Sequence, residues 1–157
     1  MRLPIVVALI LLLVSCGATP APLYGMDLPE PCTLLTIDEV AAALGEPVKQ
    51  PQSEHELLDA ECSYDALAAQ SHRSVLVELT TAGPDSASFE QRAQFFQTEG
   101  ARQIGSGGGA TYAKRGAILT HKPGIILFLI VTDDTRTEEA IFAVAQKLAN
   151  KVLTRLP

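Results

Sequence analysis

The sequence predicts an α+β fold, an antiparallel sheet with helices packed against it. Three observations predict it. Capping-box signatures, Thr36 with Glu39 and Thr135 with Glu138, open helical patterns near both ends of the chain. Alternating and continuous apolar runs between them read as strands. Turn chemistry at Lys122-Pro123-Gly124 joins two of those strands as a hairpin. Helix, strands, helix, strands, helix is an order that packs helices on an antiparallel sheet.

The first helix carries Val40, Ala41 and Leu44, ends at Gly45 and cannot continue past Pro47. Residues 50–61 are polar and acidic and read as a loop, with Leu57 and Leu58 expected to tuck inward. Residues 62–67 read as a strand. Val75, Val77 and Leu79 alternate with Leu76, Glu78 and Thr80, the pattern of a strand with one buried face. A second helix, capped by Ser86 or Ser88, places Phe89, Ala93 and Phe96 on one stripe and closes at Gly100. A glycine-rich turn spans residues 105–109. Short strands follow at 111–113 and 117–121. Residues 125–131 are continuously apolar and read as the central strand, covered on both faces. The last helix runs to about Leu153. Ile141, Val144, Ala145, Leu148 and Val152 share one face. Glu138 and Glu139 at its start, with Lys147 and Lys151 near its end, suit the helix dipole.

The first sixteen residues give an address. Arg2 precedes an apolar run over residues 5–14, far short of the roughly 20 residues of a membrane-spanning helix. A charged start, a short apolar stretch and a small residue before the cut make a secretory signal. Leu13-Val14-Ser15-Cys16, followed by Gly17, resembles the lipobox of bacterial lipoproteins, in which the cysteine is acylated and becomes the new N-terminus. An ordinary cleavage near Ala18 or Ala21 is the alternative. The resemblance implies a signal peptide over residues 1–15, a lipidated Cys16 carrying diacylglycerol and a fatty acid such as palmitate, and a membrane partner through that anchor. Several acyl chains attach a protein stably where one does not. Gly17 in place of an acidic residue resembles outer-membrane sorting in a bacterium with two membranes. Residues 16–31, with Pro20, Pro22, Pro29 and Pro31, form a semi-extended tether, and residues 32–157 form a single domain.

The chain has three cysteines. If Cys16 carries lipid, Cys32 and Cys62 remain as a pair that an oxidising compartment favours as a bridge. Two free buried thiols are the alternative.

The net charge of −6 argues against a nucleic-acid binder, which needs a basic face. It also argues against electrostatic adhesion to anionic lipid. With no tryptophan, a sugar-stacking platform is poorly supported. Gly105, Gly107 and Ala110 match a dinucleotide fingerprint, but strand-like Thr111, Tyr112 and Ala113 follow where a helix is needed. His55, His72 and His121 are the only histidines, and none is paired at metal-binding helical spacing. His55 sits among Glu54, Glu56, Asp59 and Glu61, a group without calcium-loop spacing. Asp133 and Asp134 precede the last helix, where acids cap. No G-x-S-x-G elbow appears. No catalytic residue, cofactor or metal is therefore expected.

Pro31-Cys32-Thr33-Leu34-Leu35-Thr36, Glu39-Val40, Leu44-Gly45-Glu46-Pro47-Val48 and Cys62-Ser63-Tyr64 resemble a group of cysteine-bridged bacterial envelope lipoproteins of uncharacterised role, best known from actinobacteria. The later Ala110, Tyr112, Gly124, Ala145, Leu148, Ala149 and Leu153 fit the same pattern. The resemblance implies a PsbP-like sandwich and the Cys32–Cys62 bridge, and no established activity. The chain departs from the group at Gly107 to Gly109, where acidic residues are more usual.

The expectation that follows is a lipid-anchored, extracytoplasmic, non-enzymatic module that takes a protein partner or an apolar envelope ligand. Gly107, Gly108, Gly109 and Tyr112, beside the Lys122–Gly124 tip, are its candidate ligand surface. An envelope hydrolase pairing a histidine with Asp59 or Asp134, and a structural assembly factor, are the competing expectations.

Overall fold

The computed structural model describes residues 28–82, 87–98, 100–104 and 111–157. The lipobox, most of the tether and Gly107, Gly108 and Gly109 lie outside the described residues. A 3₁₀ turn, Pro31–Thr33, leads into α1 (Ile37–Leu44), β1 (Gln52–His55), β2 (Asp59–Asp65) and β3 (Ser74–Thr81). Then come α2 (Ala87–Thr98), β4 (Arg102–Ile104), β5 (Thr111–Lys114), β6 (Ala117–Lys122), β7 (Ile125–Thr132) and α3 (Glu138–Arg155). The described strands form one antiparallel sheet in the order β1-β2-β3-β7-β6-β5-β4. This is the α+β class that the sequence predicts.

Period-two burial fixes the faces. Val75, Val77 and Leu79 of β3 and Leu127, Leu129 and Val131 of β7 are buried against α1 and α3, with Ala145, Leu148, Ala149 and Val152 from the last helix. The opposite face of β7 offers Ile126 and Phe128 to Phe89, Ala93 and Phe96 of α2. Strand β7 is thus covered on both sides, as its unbroken apolar run requires. Burial of the core residues, at about 25 cal/mol per Å² of apolar surface, is what drives this arrangement.

Helix α1 opens on a complete capping box. Thr36 Oγ1 accepts from the Glu39 amide at 3.2 Å, and Glu39 Oε2 accepts from the Thr36 amide at 3.0 Å. Gly45 closes the helix in the left-handed region, at φ 79°. Glu39 does more than cap. It also receives Arg155 at 2.6 Å and Lys151 at 2.6 Å from α3. The Arg155 hydrogen bonds, then those of Lys151 and the Thr36 amide, hold its carboxyl far below the ordinary value of 4.5. Because the folded value is depressed, its contribution is complete above about pH 4.5 and is lost as pH falls through the folded value. Glu39→Gln is expected to flatten the acid limb of stability against pH, read as the urea midpoint between about pH 5 and pH 2.

Several local expectations are corrected. Residues 50–61 are not a loop: β1 and the first half of β2 lie there. The four β1 residues are all exposed, so no apolar alternation marks them as a strand. Leu57 and Leu58 do not tuck inward but sit in the β1–β2 turn, 82% and 45% exposed. The strand read at 62–67 begins earlier, at Asp59, and ends at Asp65. Strand β4 was not anticipated. Ser86 lies outside the described residues, and Ser88 lies inside α2. The N-cap of α3 is Thr137, whose hydroxyl accepts from the Ala140 amide at 3.4 Å. Thr135 instead donates its hydroxyl and amide to Asp133 Oδ1, at 2.7 and 3.0 Å. The aspartate outcompetes the helix for that threonine.

Cys32 and Cys62 are joined by a disulfide, which ties the 3₁₀ turn to β2. Tyr64, fully buried beside it, donates its hydroxyl to the Leu35 carbonyl at 2.8 Å. Burial pushes that phenol up to about 12, so it stays protonated as a donor. The bridge closes a loop with a sequence separation of 30. Chain entropy assigns such a loop about 3.5 kcal/mol. Reduction is expected to lower the unfolding free energy by that amount, measured as paired urea titrations with and without dithiothreitol.

Candidate functional site

A concavity lies between α2 and the sheet. It is a cleft of about 550 Å³, within the range of small-molecule sites. Phe95 and Phe96 wall it from the helix, and Leu119 and Phe128 floor it from β6 and β7. Phe96 meets Phe128 edge-on, with ring centroids 5.7 Å apart. Phe95 is 69% exposed at the lip. Gln91, also exposed, lies on the helix above.

The register explains why these residues converge. Directly opposed residues share a face of the sheet. Glu54 of β1 opposes Glu61 of β2, and Glu61 opposes Glu78 of β3. Glu78 opposes Phe128 of β7, and Phe128 opposes Leu119 of β6. One transverse row therefore runs Glu54, Glu61, Glu78, Phe128, Leu119. Its apolar end floors the cleft. Its acidic end, joined by Glu56 and Asp59, forms a trough. Glu78 belongs to both walls.

Arg92 of α2 stands where the two halves meet. It pairs with Glu78 at 2.8 Å and with Asp59 at 3.4 Å. Burial, followed by repulsion from Glu78, Glu54 and Glu56, pushes the Glu61 carboxyl up. Among the described residues, no group of His, Cys, Asp and Glu is arranged to hold a metal ion.

The structure separates the residues singled out in the sequence. Tyr112 is the register partner of Leu119, so β5 brings its position to the row that floors the cleft. Lys122 goes elsewhere. It donates to the Leu153 and Leu156 carbonyls at 3.3 and 2.8 Å and caps the end of α3. His121 packs against Phe89, with ring centroids 4.2 Å apart and the planes tilted by 46°. His72 and Asp134 are exposed.

His55 does not pair with Asp59. Its Nε2 lies 2.7 Å from Glu30 Oε2 and 3.2 Å from Ser53 Oγ. Ser53 Oγ donates to Glu30 Oε1 at 2.7 Å. A serine–histidine–acid relay needs the acid and the hydroxyl on opposite ring nitrogens. Here both share one nitrogen, and the hydroxyl proton already points to the carboxylate. The Ser53 hydrogen bond, against the opposing effect of burial and with help from His55, lowers the Glu30 carboxyl. This trio pins the start of the domain to β1.

Asp133 is buried, at 3% exposure, and serves a larger network than a helix cap. Arg73 Nε approaches Oδ1 at 3.2 Å. Arg136 Nε approaches Oδ2 at 2.9 Å, an ion pair without hydrogen-bond alignment. Arg136 then donates to the Ala43 and Leu44 carbonyls at the end of α1, both at 2.8 Å. Burial raises the Asp133 carboxyl, but Thr135 and the two guanidiniums outweigh it and hold it low.

Comparison with known proteins finds no matching family model, no matching curated protein and no matching solved structure.

Proposed function

We propose that this chain is a lipid-anchored envelope protein that binds an apolar ligand in the α2–sheet cleft and catalyses no reaction. The carrying observation is the cleft itself, where Phe95, Phe96, Leu119 and Phe128 present apolar surface around a volume suited to a small molecule. The lipobox at Cys16 supports an extracytoplasmic address, in the outer membrane where the bacterium has two. The Cys32–Cys62 bridge suits an oxidising compartment. The α+β architecture accommodates the PsbP-like sandwich of the group that the sequence resembles. The proposed ligand surface moves from the glycine-rich turn to the cleft, and Tyr112 enters it only as the register partner of Leu119.

Two measurements test the reading. Full-length protein in its host is expected to incorporate labelled palmitate and to pellet with membranes, and Cys16→Ser to do neither. Protein purified from that host is expected to release an apolar molecule on solvent extraction, detected by mass spectrometry. Gln91→Trp, which fills the lip from an exposed position, is expected to reduce that yield about tenfold, equivalent to ~1.4 kcal/mol. Equal yields from both proteins, or none from either, would refute cleft binding.

A further inference from the structure

We propose that the ligand of the cleft is a single-chain amphiphile with a cationic amine head, its tail over Phe128 and Leu119 and its head over Glu78, Glu61 and Glu54. The inference rests on the cleft reading above and adds the chemistry of the head.

The transverse row carries the argument. One strip of sheet changes from acidic to apolar at a single strand boundary, between Glu78 of β3 and Phe128 of β7. The apolar part is roofed by α2. The acidic part opens beside it, with Glu78 common to both walls. A ligand that fills the cleft and emerges past Glu78 meets five carboxylates: Glu54, Glu56, Asp59, Glu61 and Glu78.

Folding does not account for that acidity. Like charges directly opposite on neighbouring strands destabilise a sheet. Here three glutamates oppose one another across β1, β2 and β3. Arg92 neutralises Glu78 and Asp59 only. Burial first, and then repulsion from Glu78, Glu54 and Glu56, raises the Glu61 carboxyl. A local rule broken without a structural gain marks a functional position. A cationic head would supply the missing counter-charge at Glu54, Glu56 and Glu61, beyond the reach of the Arg92 pairs, whereas an anionic head would meet repulsion there.

The test compares three probes with one tail and different heads: decyltrimethylammonium, decyl sulfate and decyl glucoside. Each is titrated calorimetrically into the intact protein below micelle formation, at about 0.15 M salt, with circular dichroism recording the fold. The ammonium probe is expected to bind about tenfold more tightly than the other two. Glu54→Gln/Glu56→Gln/Glu61→Gln is expected to abolish that preference while retaining the glucoside. Asp134→Asn/Glu138→Gln/Glu139→Gln, a change of equal charge at the start of α3, is expected to retain it. Equal binding of the three probes, or tighter binding of the sulfate, would overturn the assignment of the head and leave the cleft reading intact. Equal loss of preference in both triple variants would reduce it to the overall field of an acidic protein. Binding of no probe would overturn both readings.

Discussion

Gly116→Ala is expected to lower the melting temperature by about 10 °C, the effect of a loss near 3 kcal/mol in a domain of this size. Gly116 sits in the β5–β6 turn, beside Arg115, which takes the left-handed region at φ 44°. Its own constraint is space. A Cβ there would lie 2.1 Å from the Val131 carbonyl oxygen and 2.5 Å from Ile141 Cγ2. The first obstacle is backbone of the central strand and cannot rotate away. The same glycine supplies the carbonyl that accepts the Val131 amide at 2.9 Å. Relief of the clash therefore breaks a ladder contact of β7 or displaces α3 from the sheet. Differential scanning calorimetry checks the shift. Gly124→Ala, with open space around its Cβ but φ 83°, is expected to cost about 1 kcal/mol. An equal loss in the two variants would mean that crowding is not the cause at Gly116.

The second large effect is at Asp133. Asp133→Ala removes an acceptor from Thr135 and the buried carboxylate that Arg73 and Arg136 share, leaving Arg73 with Glu46 at 3.2 Å and Arg136 with the backbone carbonyls of Ala43 and Leu44. Stripping one partner from a buried ion network costs about 3–5 kcal/mol. The lower end applies, because both arginines keep part of their surface in water. Urea denaturation is expected to show a loss of about 3 kcal/mol at neutral pH. Asp133→Asn retains the Thr135 contacts and is expected to recover about half of it. The depressed carboxyl gives the sign of the pH effect. The network contributes fully above the ordinary aspartate range and is lost as pH falls through the lower folded value. The difference between wild type and Asp133→Ala should therefore shrink on acidification.

The core elements were legible because their signals are local. Thr36, Glu39 and Gly45 set α1 through contacts within ten residues. Val75, Val77 and Leu79 wrote the buried face of β3 in their own spacing. The apolar run of β7 could be placed at the centre of the sheet without knowing its neighbours. Strand β1 was not legible. Its residues are all polar and exposed, and it is held by pairing with β2, a non-local contact. Treating it as loop hid Glu54 from the row it completes. The cleft was hidden for the same reason. Phe128 and Leu119 become neighbours only through β6–β7 pairing, and both meet Phe96 only once α2 crosses that face. Thr135 misled because a threonine three residues before a glutamate signals a cap only where no buried acid competes for its hydroxyl.

The bridge between Cys32 and Cys62 has a mechanical meaning. Tension arriving along the residues before Cys32 and leaving towards α3 crosses from one sulfur to the other. Helix α1 and strand β1 lie inside the closed loop, off the covalent path from Cys32 through Cys62 to α3. Once the contacts of Glu30 with Ser53 and His55 on the edge strand give way, a pull on the leading segment is delivered through the bridge to an interior strand hydrogen-bonded on both sides.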